Sequence, residues 1–275
     1  MSQNFDNRKR AFADVVTIDV WHQSFDEETA SADLHADVVF GTARVGGETD
    51  SPIRFRLSVK RAEIVVVIPE AEPVTVDRRS VSRDAPELQG RLTQVVERTS
   101  QANAKGSVAG GLSAIGLTGS ASVEGNAQTS MSASNRIEVS ETIQFMLVTQ
   151  SKTADGHYRW SAEPRTTKVL RGRPWDGAKE PRLRLIDRRK DRSKGIPPTV
   201  RVEVRCRRED LVIEDLVVKD ENLWEKIQGR AGFRNRMAAA ESYIRDQLSQ
   251  EGLEVRNIQD SFGQLTLADV AADST

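Results

Sequence analysis

The chain has 275 residues, 37% hydrophobic and 29% charged, with a net charge of −1 at pH 7. That length buries a full core as one large β-rich domain, or as a domain with an appended piece, and the balanced charge excludes an overall pull toward nucleic acid or membrane. A single cysteine, Cys206, excludes an intramolecular disulfide framework and cysteine-based zinc sites and fits a reducing cytoplasm.

The opening stretch MSQNFDNRKRAFADVV has basic residues with no apolar run behind them, so the expectation is a protein made in the cytoplasm without a secretory leader. The longest aliphatic run, Ile64 to Ile68, falls far short of the ~20 residues of a membrane-spanning helix.

The first third reads as strands. Val16, Ile18 and Val20 alternate with polar residues, as do Leu34, Ala36, Val38 and Phe40. Ile53, Phe55, Leu57 and Val59 face one way, with Arg54, Arg56, Ser58 and Lys60 on the other, the pattern of a half-buried antiparallel strand. The run EIVVVIP lacks alternation, so it reads as buried on both faces and ended by Pro69. The acidic stretch EAEPVTVDRRSVSRD reads as an edge strand and a loop.

A helix is expected next. Asp84 caps it, Pro86 sits in the first turn and Glu87 follows three residues after the cap. Leu88, Leu92, Val95 and Val96 then form one narrow apolar stripe.

Beyond Lys105 the charge stops. Between Lys105 and Arg136 there is one charged residue, Glu124. Odd positions are apolar or small through Ile115, Leu117, Ala121, Val123, Met131 and Ala133, whereas the even positions from Thr118 to Ser134 are polar. Period two held for so long predicts a β-hairpin, with its tip at Glu124, Gly125 and Asn126. Both arms keep the odd apolar phase, so Val123 opposes Ala127 and the loop is odd in length. Arms over 113–123 and 127–137 match the ~9–11 residues that a strand needs to cross a bilayer. One hairpin cannot satisfy its backbone in lipid, so several copies must close a barrel. The alternative is a hairpin that packs on its own body or pairs with a neighbouring subunit, or a mobile Gly/Ser-rich loop.

In composition, residues 106–148 resemble the prestem hairpins of β-pore-forming proteins, including the aerolysin-like class. There a hairpin rich in Ser and Thr lies between strands of a β-rich body. The resemblance rests on this pattern and implies a self-assembling protein that inserts the hairpin into a membrane.

Strands resume with RIEVSETIQFMLVTQ, a turn at TADG, and then HYRWSAE, PRLRLID, TVRVEVRC and DLVIEDLVV. Residues 165–208 carry sixteen Lys or Arg against five Asp or Glu. Arg171, Arg173, Trp175, Arg188 and Arg189 combine basic and aromatic character there, which suits anionic lipid headgroups or, less well with a membrane hairpin, a nucleic acid backbone. The competing reading is the wet face of charged strands. Near Asp220 the period changes, and ENLWEKIQ and FRNRMAAAESYIRDQLSQEG read as helices. The second places Met237, Ala240, Ile244 and Leu248 on one face and Gly252 at its C-terminal cap. The tail, LEVRNI and QLTL, adds a last strand or docks irregularly.

Catalysis is not expected. His22, His35 and His157 are scattered without metal-ligand spacing, Ser113 in GLSAIG lacks a nucleophile-elbow context, and no phosphate-binding glycine motif is present. No cofactor or metal is expected.

The expected fold class is mainly β, of α+β type. It comprises an antiparallel β-sandwich-like body over 1–218, with a helix and the low-charge hairpin inserted at 86–136 and the basic region at 165–208. A helical C-terminal element follows over 219–275. The expected function is a non-enzymatic, homo-oligomeric pore former that inserts residues 106–137, cytoplasmic as made and membrane-associated after activation. The rival is a non-catalytic β-sandwich module for a protein or phosphate-rich partner that uses the hairpin for assembly.

Overall fold

The computed structural model describes residues 8–47, 51, 53–83, 89–99, 134–144, 146–191, 198–218, 230–256 and 258–274. The chain is mainly β. In chain order the strands are β1 (Arg8–Arg10), β2 (Val16–His22), β3 (Ser31–Phe40), β4 (Ala43–Gly46), β5 (Ile53–Val59), β6 (Ala62–Val67), β7 (Val74–Asp77) and β8 (Gln89–Thr99). There follow β9 (Ser134–Gln144), β10 (Met146–Lys152), β11 (Tyr158–Pro164), β12 (Leu183–Asp187), β13 (Arg201–Arg207), β14 (Leu211–Val218), β15 (Gln264–Ala271) and β16 (Asp273–Ser274). A helix, α1 (Arg230–Gln250), precedes β15.

The contacts divide the chain into two units, residues 1–90 with 144–275, and residues 91–143. In the first unit a six-stranded sheet has the order β1-β15-β13-β6-β11-β10, a five-stranded sheet the order β16-β2-β3-β12-β7, and a three-stranded sheet the order β14-β5-β4. The pairings are antiparallel except β16 with β2, which is parallel. In the second unit, β8 and β9 pair with each other.

Alternation explains the first unit. Val16, Ile18 and Val20 of β2 and Leu34, Ala36, Val38 and Phe40 of β3 are all buried. They share one apolar core with Ile64 and Val66 of β6, Trp160 and Ala162 of β11, and Val202 and Val204 of β13. In β5 the odd residues are buried while Arg54 and Arg56 are exposed. As the unbroken apolar run predicts, Val65 in β6 is buried along with Ile64 and Val66. In register it lies between Arg159 and Glu203, and a long arginine stem can shield such an apolar neighbour from water. The acidic stretch supplies β7, an edge strand.

Helix α1 packs on β5 and β14. Ala240, Ile244 and Leu248 are fully buried, and Tyr243 meets Phe55 edge-on at 6.2 Å. The helix ends in a Schellman arrangement. Leu253 N donates to Leu248 O at 2.9 Å and Gly252 N to Ser249 O at 3.0 Å, with Gly252 at φ +65° and Leu253 buried beside Leu248. The expected helix over ENLWEKIQ lies outside the described residues. The C-terminal tail is a strand, β15, and it runs inside the six-stranded sheet between β1 and β13 with six of its eight residues buried.

The helix expected over Leu88, Leu92, Val95 and Val96 is corrected: residues 89–99 are strand β8. The four-residue stripe was too short to decide between periods. Thr93, Val95, Val96 and Thr99 are β-branched, which disfavours helix and favours a strand that finds a partner. The partner is β9, far away in sequence.

Between β11 and β12 the chain crosses from the six-stranded to the five-stranded sheet. Gly172 exchanges backbone hydrogen bonds with Phe40 at 2.8 and 2.9 Å, and Trp175 is fully buried. Trp175 Nε1 donates to Ala36 O at 2.7 Å, its ring lies 6.4 Å from that of Trp160, and the Arg182 guanidinium stacks 4.3 Å above it. Gly177 then passes so close to β3 that a Cβ there would sit 2.6 Å from Asp37 Cα.

Two outcomes follow for stability. Trp175→Ala should lower the unfolding free energy by about 3–5 kcal/mol in a urea titration, since it leaves a large cavity between two sheets. Gly252→Ala should cost about 1 kcal/mol by the same measurement, because the helix cap requires a positive φ that alanine resists.

Candidate membrane-inserting segment and basic surface

The low-charge passage is bracketed by β8 and β9, eleven residues each. The two strands form a two-stranded sheet and, apart from Gln89, Gly90 and Gln144, fall in the unit 91–143. Their own sequences are charged, with Arg91, Glu97 and Arg98 in β8 and Arg136, Glu138 and Glu141 in β9. The charge falls away after Lys105, beyond the end of β8, and returns at Arg136, two residues inside β9. The proposed membrane-facing residues Ile115, Leu117, Ala121, Val123, Met131 and Ala133, and the tip at Glu124, Gly125 and Asn126, lie outside the described residues.

The basic region is less available than its composition suggests. At least nine of its sixteen cations make ion pairs. Several partners come from distant strands. Arg173 Nε meets Asp37 at 3.0 Å and Arg184 Nε meets Asp33 at 2.8 Å. Arg201 pairs with Asp269, and Arg208 with Glu241 of α1. Hydrogen bonds to Asp33 and Asp187 hold the Arg184 and Arg189 guanidinium groups above the ordinary arginine value. Burial instead pulls Arg182 down, against the pairing with Glu180 that raises it.

Each candidate for anionic contact can now be placed. Arg171 and Arg188 are exposed, the latter donating to Thr75 Oγ1 at 3.0 Å. Arg173 is exposed but paired with Asp37. Arg189 is turned onto Asp187, whose side chain is fully buried, at 2.7 Å. Trp175 is corrected outright: it is a core residue with no exposed surface. The motif RGRPWDG reads alike for a surface patch and for a buried anchor, and the pairing partners in β3 decide between them.

Elsewhere a cleft of about 390 Å³ opens over β6, β11 and β13, lined by Arg61, Glu63, Arg159, Cys206, Asp210 and Phe262 among others. Its charges are matched, Arg61 to Asp210 at 2.7 Å and Arg159 to Glu63 at 2.8 Å. The hydrogen bond that Arg61 donates to Asp210 raises Arg61 above its ordinary value, and burial pushes the Cys206 thiol up, away from reactive thiolate. His22 is buried, and His35 stacks on Trp21 at 5.4 Å with Nδ1 2.9 Å from Gly177 O. No metal-binding cluster is present among the described residues.

Phe262 is 68% exposed, and the sequence reading did not single it out. It sits on a turn in which Gly263 N donates to Asp260 O at 2.8 Å and Phe262 N to Asp260 Oδ1 at 3.0 Å. The signal was present: an Asp three residues before a Gly marks a turn, whose central side chains point outward.

No family model matches the chain, and no curated protein matches it. Among solved structures, a similar chain is the NetB toxin of Clostridium perfringens in its membrane-inserted form. It is 9% identical, the alignment covers 69% of this chain and 83% of that one, and the TM-score is 0.26. A TM-score of 0.26 is below that of a shared fold, and it carries no functional inference for this chain.

Proposed function

We propose that the protein assembles from several copies and inserts residues 106–137 into a membrane as a β-hairpin, forming a β-barrel pore. One observation carries this reading. The low-charge, alternating passage lies between two strands, β8 and β9, that pair with each other and fall, but for their outer ends, in a separate unit. In the barrel the odd row meets lipid and the even row of Ser, Thr, Asn and Gln lines water, while neighbouring copies pair every backbone group. Lys105 and Arg136 mark where the arms leave the hydrocarbon, and β8 with the part of β9 beyond Arg136 stands in the aqueous phase. The exposed arginines Arg171 and Arg188 supply the contact with anionic headgroups.

Paired substitutions test insertion. Ala121→Arg and Ser122→Arg are neighbours on opposite faces of a strand. A cationic side chain on the lipid row costs ~2–4 kcal/mol at mid-bilayer, and each copy in the ring adds that cost. Ala121→Arg should abolish dye leakage from anionic vesicles. Ser122→Arg should leave leakage intact and shift selectivity toward anions. Thermal melting of both variants controls for unfolding, and folded variants with identical leakage would mean that the alternation never meets lipid.

Vesicle sedimentation tests the docking surface. Arg171→Glu with Arg188→Glu should weaken binding to anionic vesicles at low salt, and the difference should shrink as salt screens it. Equal binding would return the region to the role of a solvated strand face.

A further inference from the structure

Sheet edges expose unpaired N–H and C=O groups, and proteins blunt them with charge, shortness or bulges. The three sheets of the first unit have six edges, and five are blunted in these ways. β1 is three basic residues, β16 is two residues, and β7 is four residues ending in Asp77. β4 is four residues with Arg44 exposed. β14 is bulged between Glu214 and Val217, with Asp215 at φ +51°. The sixth edge is β10. It has seven residues, MLVTQSK, in unbroken register with β11, and its only charge is Lys152 at the end. No other described strand pairs with it. Leu147 is 37% exposed and Thr149 is exposed. In a chain that is 29% charged, so long and neutral an edge is a template for another strand.

We propose that β10 pairs antiparallel with β10 of a second copy, about a two-fold axis at Thr149. That register sets Thr149 against Thr149, Leu147 against Ser151, Val148 against Gln150, and Met146 against Lys152. No like charges face each other, and the two lysines lie at opposite ends of the pair. The other edges fit β10 less well: β1 offers three cations, β14 is interrupted by its bulge, and the rest are too short. A two-fold contact uses the same patch on both copies, so it closes at a dimer. This pairing goes beyond the membrane reading and does not depend on it. A seven-residue edge is a small contact, so the dimer is reversible and concentration-dependent.

Sedimentation of the full chain, with cysteine crosslinking, tests the pairing. Cys206 is buried, so the wild type supplies a background without disulfide-linked dimer. Under mild oxidation Thr149→Cys should form a disulfide-linked species that stops at the dimer, and Lys152→Cys, opposite Met146, should form several-fold less. Thr149→Lys places two lysines face to face and should weaken dimerisation several-fold with an unchanged melting temperature. If that variant melts lower, the two cysteine variants decide the matter. A wild type that stays monomeric at all concentrations would overturn the proposal. So would equal crosslinking at 149 and 152, or a ladder beyond the dimer, which marks a head-to-tail contact.

Discussion

Trp175 ties the two large sheets together. Its indole N–H is held by the backbone of β3 and its ring packs against Trp160 of β11, so one side chain touches both walls of the core. The flanking chain is fixed from the same point. Gly172 pairs with Phe40 ahead of it, Gly177 lies against Asp37 behind it, and the crossing ends with Arg182 N donating to Leu34 O at 2.8 Å. That last bond delivers β12 to its place between β3 and β7. Without the anchor, a stretch of six cations and three acidic residues from Lys168 to Asp187 would have little apolar reason to lie along a sheet.

The same crossing explains the arginine-rich surface. Asp33 and Asp37 stand on the polar face of β3, and Asp19 is directly opposite Asp37 in register, an arrangement of like charges that costs stability unless compensated. Arg184 and Arg173 compensate β3, and Arg8 reaches Asp19 at 2.7 Å. A local excess of positive charge in sequence is thus partly neutralised in space, while Arg165, Lys168, Arg171, Arg188 and Lys190 stay exposed. Exposed pairs of this kind contribute little stability individually; their effect here is to reduce the number of cations open to an external partner.

The sandwich was legible in the sequence wherever one face is wet and the other dry, as in β2, β3 and β5, because burial then writes itself at period two. The double burial of Val65 was legible from the absence of alternation. What local pattern could not show was partnership. Residues 89–99 hold a short apolar stripe that suits a turn or two of helix, and pairing with β9 made them a strand. Trp175 sits in a basic motif that suits a membrane surface, and the carbonyl of Ala36, 139 positions away in β3, together with the ring of Trp160 made it a core anchor. At the candidate site, β8 and β9 pair with each other on either side of the low-charge passage.

The central claim is that residues 106–137 enter lipid with odd positions outward. Environment-sensitive dyes on single cysteines, placed one at a time from Leu117 to Ala133 in the full chain, test it most directly, since Cys206 is buried and does not compete for label. On addition of anionic vesicles the account predicts blue-shifted emission at odd positions and aqueous emission at even ones, alternating along both arms and failing near Gly125. Emission that stays aqueous throughout, or shifts without alternation, would contradict it.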